Sequence, residues 1–136
     1  MSTSIFPNFN TGQQATFTVE ITDDLSKCFA DLSVSTMKQG MRETLQESVN
    51  RRQTHHLLVV SMIGNWLYHI IPDSNAQCVN IHYEFLSPIN LSDHIDTVIE
   101  LLETDEQKHL VTLRINCFNQ AKTQVITGQA VMLVHQ

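Results

Sequence analysis

The stretch LLVVSMIGNWLYHII, Leu57 to Ile71, decides the fold. Val59, Met62, Ile63, Trp66, Leu67 and Ile70 recur at i, i+3, i+4, i+7 spacing, the mark of one helical face. Leu58 and Val60 make the opposite face apolar as well. A helix that is hydrophobic nearly all round belongs inside a protein. Pro72 and Asp73 mark its end. The stretch is not a membrane span: Ser61, Asn65 and His69 interrupt it, and it is too short for ~30 Å of hydrocarbon.

Working outward, the chain changes period. On the N-terminal side, Phe17, Val19 and Ile21 alternate with Thr16, Thr18 and Glu20, which predicts a strand with one buried face. Thr22 with Asp23 and Asp24 then reads as a helix start, a hydroxyl cap followed by acids that suit the positive N-terminal dipole. That helix runs through Lys27, Phe29 and Leu32. Residues 33 to 54 are polar and mixed, with at most a helical turn or two around Leu45 and Val49. On the C-terminal side everything reads as sheet: Val79 to Phe85, Ile95 to Leu102, Leu110 to Phe118 and Gln124 to Val134. Breaks fall at Ser87-Pro88, Thr104 to Glu106 and Asn119 to Lys122. One antiparallel sheet wrapped around one greasy helix satisfies this order, because meander connections are short. The class is α+β, one domain over residues 1–136, with residues 1–12 a loose arm.

Composition bounds the function. With 42% hydrophobic and 16% charged residues among 136, the chain suits a packed globule rather than a disordered one. Eight Lys+Arg against fourteen Asp+Glu leave a net charge of -6. Nucleic-acid binding needs the opposite surplus, since cations must displace the counterions of phosphate. Three cysteines, widely spaced and without a C-x-x-C pair, fit a reduced, cytoplasmic protein and speak against a zinc site. The opening MSTSIFPNFN has neither a basic nor an apolar region of a signal peptide.

Five short motifs then resemble one family. Phe29-Ala30-Asp31-Leu32-Ser33 resembles the "F-A-x-L-S" opening of the MaoC-like hotdog family of (R)-specific enoyl-thioester hydratases and 3-hydroxyacyl-thioester dehydratases. Thr54-His55-His56-Leu57-Leu58 resembles its "A-H-G-M-L" entry to the central helix. Phe85-Leu86-Ser87-Pro88-Ile89 with Asp93 resembles its "F-L-x-P-V…G-D" strand end. Val111 to Arg114 with Asn119-Gln120, and Gly128 to Val131, resemble the two closing strands. The resemblance implies the hotdog fold, a homodimer, and an acyl thioester of coenzyme A or acyl carrier protein as partner, with no cofactor.

The chemistry departs from that pattern. The family's catalytic motif, roughly S-G-D-x-N-P-x-H, falls on Ser33-Val34-Ser35-Thr36-Met37-Lys38-Gln39-Gly40. Its aspartate is Ser35 here and its histidine Gly40, so both proton-transfer groups are missing. What can remain is the set of backbone N–H groups at the helix start, which the resemblance places at His56-Leu57. Every helix start carries such unpaired donors. His56 replaces the family's glycine.

His55 and His56 are the candidates for proton transfer, since imidazole titrates near neutral pH. As neighbours on a helix their rings point about 100° apart, poor geometry for a shared metal. Asp31 is a further candidate base. Ser33 and Ser35 could hydrogen-bond a substrate, though no G-x-S-x-G elbow surrounds them. Glu43 and Glu47, one turn apart, fit either a thioesterase carboxylate or a solvated helix face. Lys38, Arg42, Arg51 and Arg52 gather half of the eight Lys+Arg into fifteen residues, a candidate surface for the phosphates of coenzyme A or for an acidic carrier. The expectations are therefore an acyl-thioester binder, a non-catalytic acyl-binding or scaffold subunit, or an acyl-thioester hydrolase.

Overall fold

The computed structural model describes residues 10–34, 54–71 and 75–135. In chain order these form β1 (Gln14–Glu20), α1 (Asp23–Val34), α2 (Thr54–Ile70), β2 (Gln77–Phe85), β3 (His94–Asp105), β4 (Leu110–Phe118) and β5 (Gln124–Leu133). The helical turns expected between residues 33 and 54 lie almost wholly outside the described residues.

The strands make one antiparallel sheet in the order β1-β3-β4-β5-β2. Register sets which side chains meet. One row across all five strands reads Ala15, Ile99, Ile115, Gly128, Tyr83, and the next reads Phe17, Thr97, Cys117, Ile126, Phe85. These rows belong to the face that carries the core, where Ile95, Ile99, Leu101, Leu113, Ile115 and Ile126 are sealed from solvent. The period-2 alternation in β3 and β4 is thus a true inside–outside pattern.

Local chemistry sets the ends of elements. The Thr22 hydroxyl accepts a hydrogen bond from the Leu25 N–H at 3.1 Å, the cap that the sequence suggests for α1. Asn119 Oδ1 accepts from the N–H groups of Ala121 and Thr123 and so closes the β4–β5 turn. The β3–β4 turn comes later than expected: β3 runs on to Asp105 and the chain reverses over residues 106–109, with the Asp105 carboxylate accepting from the Lys108 N–H.

α2 lies on the sheet with Leu58, Val59, Ile63, Leu67 and Ile70 buried. Its outer side is open, contrary to the reading of a helix enclosed all round. Leu57, Ser61, Asn65, Tyr68 and His69 are exposed, because a helix resting on one sheet buries only the face turned towards it. Trp66 is half-buried and stacks on Phe17 of β1, with ring centroids 4.8 Å apart and planes 4° from parallel. None of the described helices is long and apolar enough to cross a membrane.

Gly128 is the tightest point of the sheet. A Cβ there would lie 2.5 Å from the His82 carbonyl oxygen and 2.6 Å from Cδ1 of Tyr83, so the Tyr83 ring rests on the space a side chain would fill. Gly128→Ala is expected to cost about 1–3 kcal/mol in urea denaturation, because β2 backbone must move to admit the methyl group.

Candidate functional site

The first turn of α2 and the 86–93 connection between β2 and β3 form the site. A helix that begins at Thr54 cannot satisfy its own first four N–H groups, and these include His56 and Leu57. The positive end of the helix dipole lies at the same place. The connection wraps this end, and two of its carbonyls take up the two histidine rings.

His55 is pinned on both sides. Its Nδ1–H donates to the Ile89 carbonyl at 2.8 Å, and its Nε2 is hydrogen-bonded to the Ser26 hydroxyl of α1 at 3.0 Å. Both nitrogens are engaged by the protein, so the ring joins α1, α2 and the connection.

His56 is different. Its Nε2–H donates to the Ser87 carbonyl at 2.7 Å, and its ring stacks on Phe85 with centroids 4.8 Å apart. The residue is 4% exposed, and Nδ1 is buried with no hydrogen-bond partner among the described residues. Burial pushes the His56 pKa below the ordinary 6.5, against the hydrogen bond to Ser87, which raises it. A neutral ring that donates through Nε2 must carry its lone pair on Nδ1. In that form the ring offers the site a hydrogen-bond acceptor at Nδ1.

The sign of the pH dependence follows. The folded-state pKa lies below the unfolded value, so the unfolded chain binds the proton first as pH falls. Stability should fall as pH drops through 6.5 towards the depressed value. Thermal melts from about pH 7.5 down to about pH 5.5 should show this slope, and His56→Gln should flatten it.

The connection is itself held firmly. Asp93, buried at 8% exposure, accepts from the Asn90 N–H at 2.8 Å and from Gln120 Nε2 at 2.9 Å. Its backbone and that of Ser92 bond both backbone groups of Ile21. Ser92 has φ 72°, a left-handed kink that turns the chain into β3. The carbonyls of Ser87 and Ile89 thus reach the histidines from a braced loop.

Of the other residues singled out in the sequence, Asp31 is exposed on α1, Ser33 lies in the last turn of that helix, and Leu57 is 47% exposed. Ser35, Lys38, Arg42, Glu43, Glu47, Arg51 and Arg52 lie outside the described residues. Among the described residues no group of three or more His, Cys, Asp or Glu side chains could hold a metal ion. Sequence reasoning missed Ser26, Phe85 and Tyr83. The last two occupy alternate positions of β2, and that period-2 spacing onto the core face was the available signal.

Five antiparallel strands with a long helix on their core face, entered beside the strand end at Ser87, have a known counterpart. A comparison with solved structures finds the unliganded R-hydratase of Pseudomonas aeruginosa, with a TM-score of 0.72, 23% identity, and coverage of 93% of this chain and 83% of that one. The chain has the hotdog fold. An (R)-hydratase from A. caviae involved in PHA biosynthesis superposes on this hotdog chain with a TM-score of 0.74, 19% identity, and coverage of 95% and 99%. A hypothetical thioesterase from Streptococcus pneumoniae, with coenzyme A, gives 0.61 at 10% identity, covering 95% and 83%. No protein-family model matches the sequence, and no curated protein matches it.

Proposed function

We propose that this hotdog protein, of MaoC-like descent, binds an acyl thioester of coenzyme A or of an acyl carrier protein, with the thioester carbonyl at the first turn of α2. The observation that carries this reading is how the carbonyls beside the helix start are occupied. The neighbouring carbonyls of Ser87 and Ile89 are taken by the rings of His56 and His55. In this reading the first-turn N–H groups of α2 face a carbonyl oxygen that gathers negative charge. The hydratase and thioesterase neighbours make an acyl thioester the natural ligand class.

The same geometry argues for binding with little or no turnover. Hydration of an enoyl thioester needs a group to take a proton from water and a group to protonate the α carbon. With serine and glycine at Ser35 and Gly40, the only free nitrogen described near the helix start is Nδ1 of His56. One neutral imidazole offers a base and no separate acid. Lys38, Arg42, Arg51 and Arg52 are the proposed contacts for phosphate or for an acidic carrier. The proposed setting is the cytoplasm, consistent with three free cysteines.

Two assays on one sample test the proposal. The conjugated thioester of crotonyl-CoA absorbs in the ultraviolet, and hydration removes that absorbance, while hydrolysis releases a titratable thiol. Neither change is expected, whereas acyl-CoA should co-elute with the protein on gel filtration. Rapid loss of absorbance would make the protein a hydratase with relocated groups. Thiol release would make it a hydrolase and move attention to Asp31, Glu43 and Glu47. Absence of acyl-CoA from the protein peak would end the thioester reading.

The proposal includes a homodimer. β2 is an edge strand of nine residues that exposes Val79 (52%) and Ile81 (41%). The Tyr68 hydroxyl accepts from the Cys78 N–H at 3.1 Å, so the exposed side of α2 lies beside the same edge. An apolar edge of this length is a template for a second strand, and a second copy of this chain supplies one with matching residues.

A further inference from the structure

Among the described residues, two buried side-chain polar atoms lack a hydrogen-bond partner: Nδ1 of His56 and the hydroxyl of Tyr83. They lie along one seam. His56 stacks on Phe85, and Tyr83 is two residues further back on the same side of β2. Two strand residues span roughly 7 Å. His56 offers an acceptor and Tyr83 a donor. Orphaned buried groups are rare in folded proteins and costly in a low dielectric.

The Tyr83 hydroxyl is also placed at some expense. The ring lies over Gly128, where any Cβ would collide with it, and so passes inward across β5. Burial is the main cause of its strongly raised pKa, with Cys117 and Cys78 adding to the push. The phenol is therefore neutral and keeps its proton to donate. Phenylalanine would fill the same space without the unpaired oxygen.

We propose that Tyr83 is a specificity-determining donor for an oxygen on the acyl chain, several carbons beyond the thioester, so that the site prefers acyl groups carrying a hydroxyl or keto oxygen at that depth over plain alkyl chains. This rests on the thioester lying at the start of α2, as proposed above. A site built around a buried donor discriminates against a ligand that leaves it unpaired.

The test is calorimetric titration of the full chain with octanoyl-CoA and with its monohydroxylated isomers, the hydroxyl placed at each carbon from the fourth outward. One isomer is expected to bind about five- to tenfold more tightly than octanoyl-CoA. In Tyr83→Phe that ratio should fall to about one while octanoyl-CoA binds as before, and the variant should melt no lower than the parent. Equal binding of all isomers would overturn the inference alone and mean that the hydroxyl is served by a trapped water. A preference that persists in Tyr83→Phe would overturn it too. Failure of every acyl-CoA to bind would overturn the thioester reading, and this inference with it.

Discussion

His56→Gly should unfold about 3 kcal/mol more easily than the parent chain and still bind an acyl thioester. The change leaves the part-buried Ser87 carbonyl without its ring partner, a loss of about 1 kcal/mol or somewhat more. It removes the contact with Phe85, worth about 0.5–1.5 kcal/mol beyond its area. It also places glycine in the first turn of a helix, at about 0.5–1 kcal/mol. These terms overlap, so about 3 kcal/mol is the reasonable sum. Binding should survive because the N–H groups belong to the backbone, and glycine lets a carbonyl approach them closely. Urea denaturation and acyl-CoA titration on the same preparation read both effects. Lost affinity at unchanged stability would reverse the roles and make the imidazole the principal contact.

Ile81→Glu should turn the proposed homodimer into a monomer at micromolar concentration. Ile81 lies on the edge strand and is 41% exposed in the single chain. A two-fold axis brings two copies of every edge residue into one interface, so one substitution introduces two like charges. Burying them costs several kcal/mol unless each finds a partner. A loss of about 3 kcal/mol raises the dissociation constant roughly a hundredfold. Sedimentation of parent and variant reads this directly. A parent that already sediments as a monomer would contradict the dimer, and a variant that remains dimeric would place the interface elsewhere.

The sequence carried the fold further than it carried the site. Alternation in Ile95 to Leu101 and in Val111 to Cys117 is legible because each strand keeps one face in the core. The Thr22 cap was legible because its hydroxyl acts on a backbone group three residues away. The open side of α2 was not: Leu57 and Tyr68 are apolar, and hydropathy alone cannot tell a core residue from one awaiting a partner. The difference between His55 and His56 was invisible for a related reason. It depends on Ser26, Ser87 and Ile89, residues 29 to 34 positions away. Only the fold brings those carbonyls and that hydroxyl to the rings. Tyr83 escaped notice because one tyrosine in a strand looks like any other until its register partner proves to be glycine.

The central claim is that the first turn of α2 receives a thioester carbonyl, and carbon-13 resonance at that carbonyl tests it most directly. Butyryl-CoA labelled there should show a single bound resonance shifted downfield of the free ligand, as hydrogen bonds from the helix start polarise the carbonyl. The shift should persist in His56→Gly. A bound resonance at the free-ligand position, or no bound resonance at saturating protein, would contradict the account.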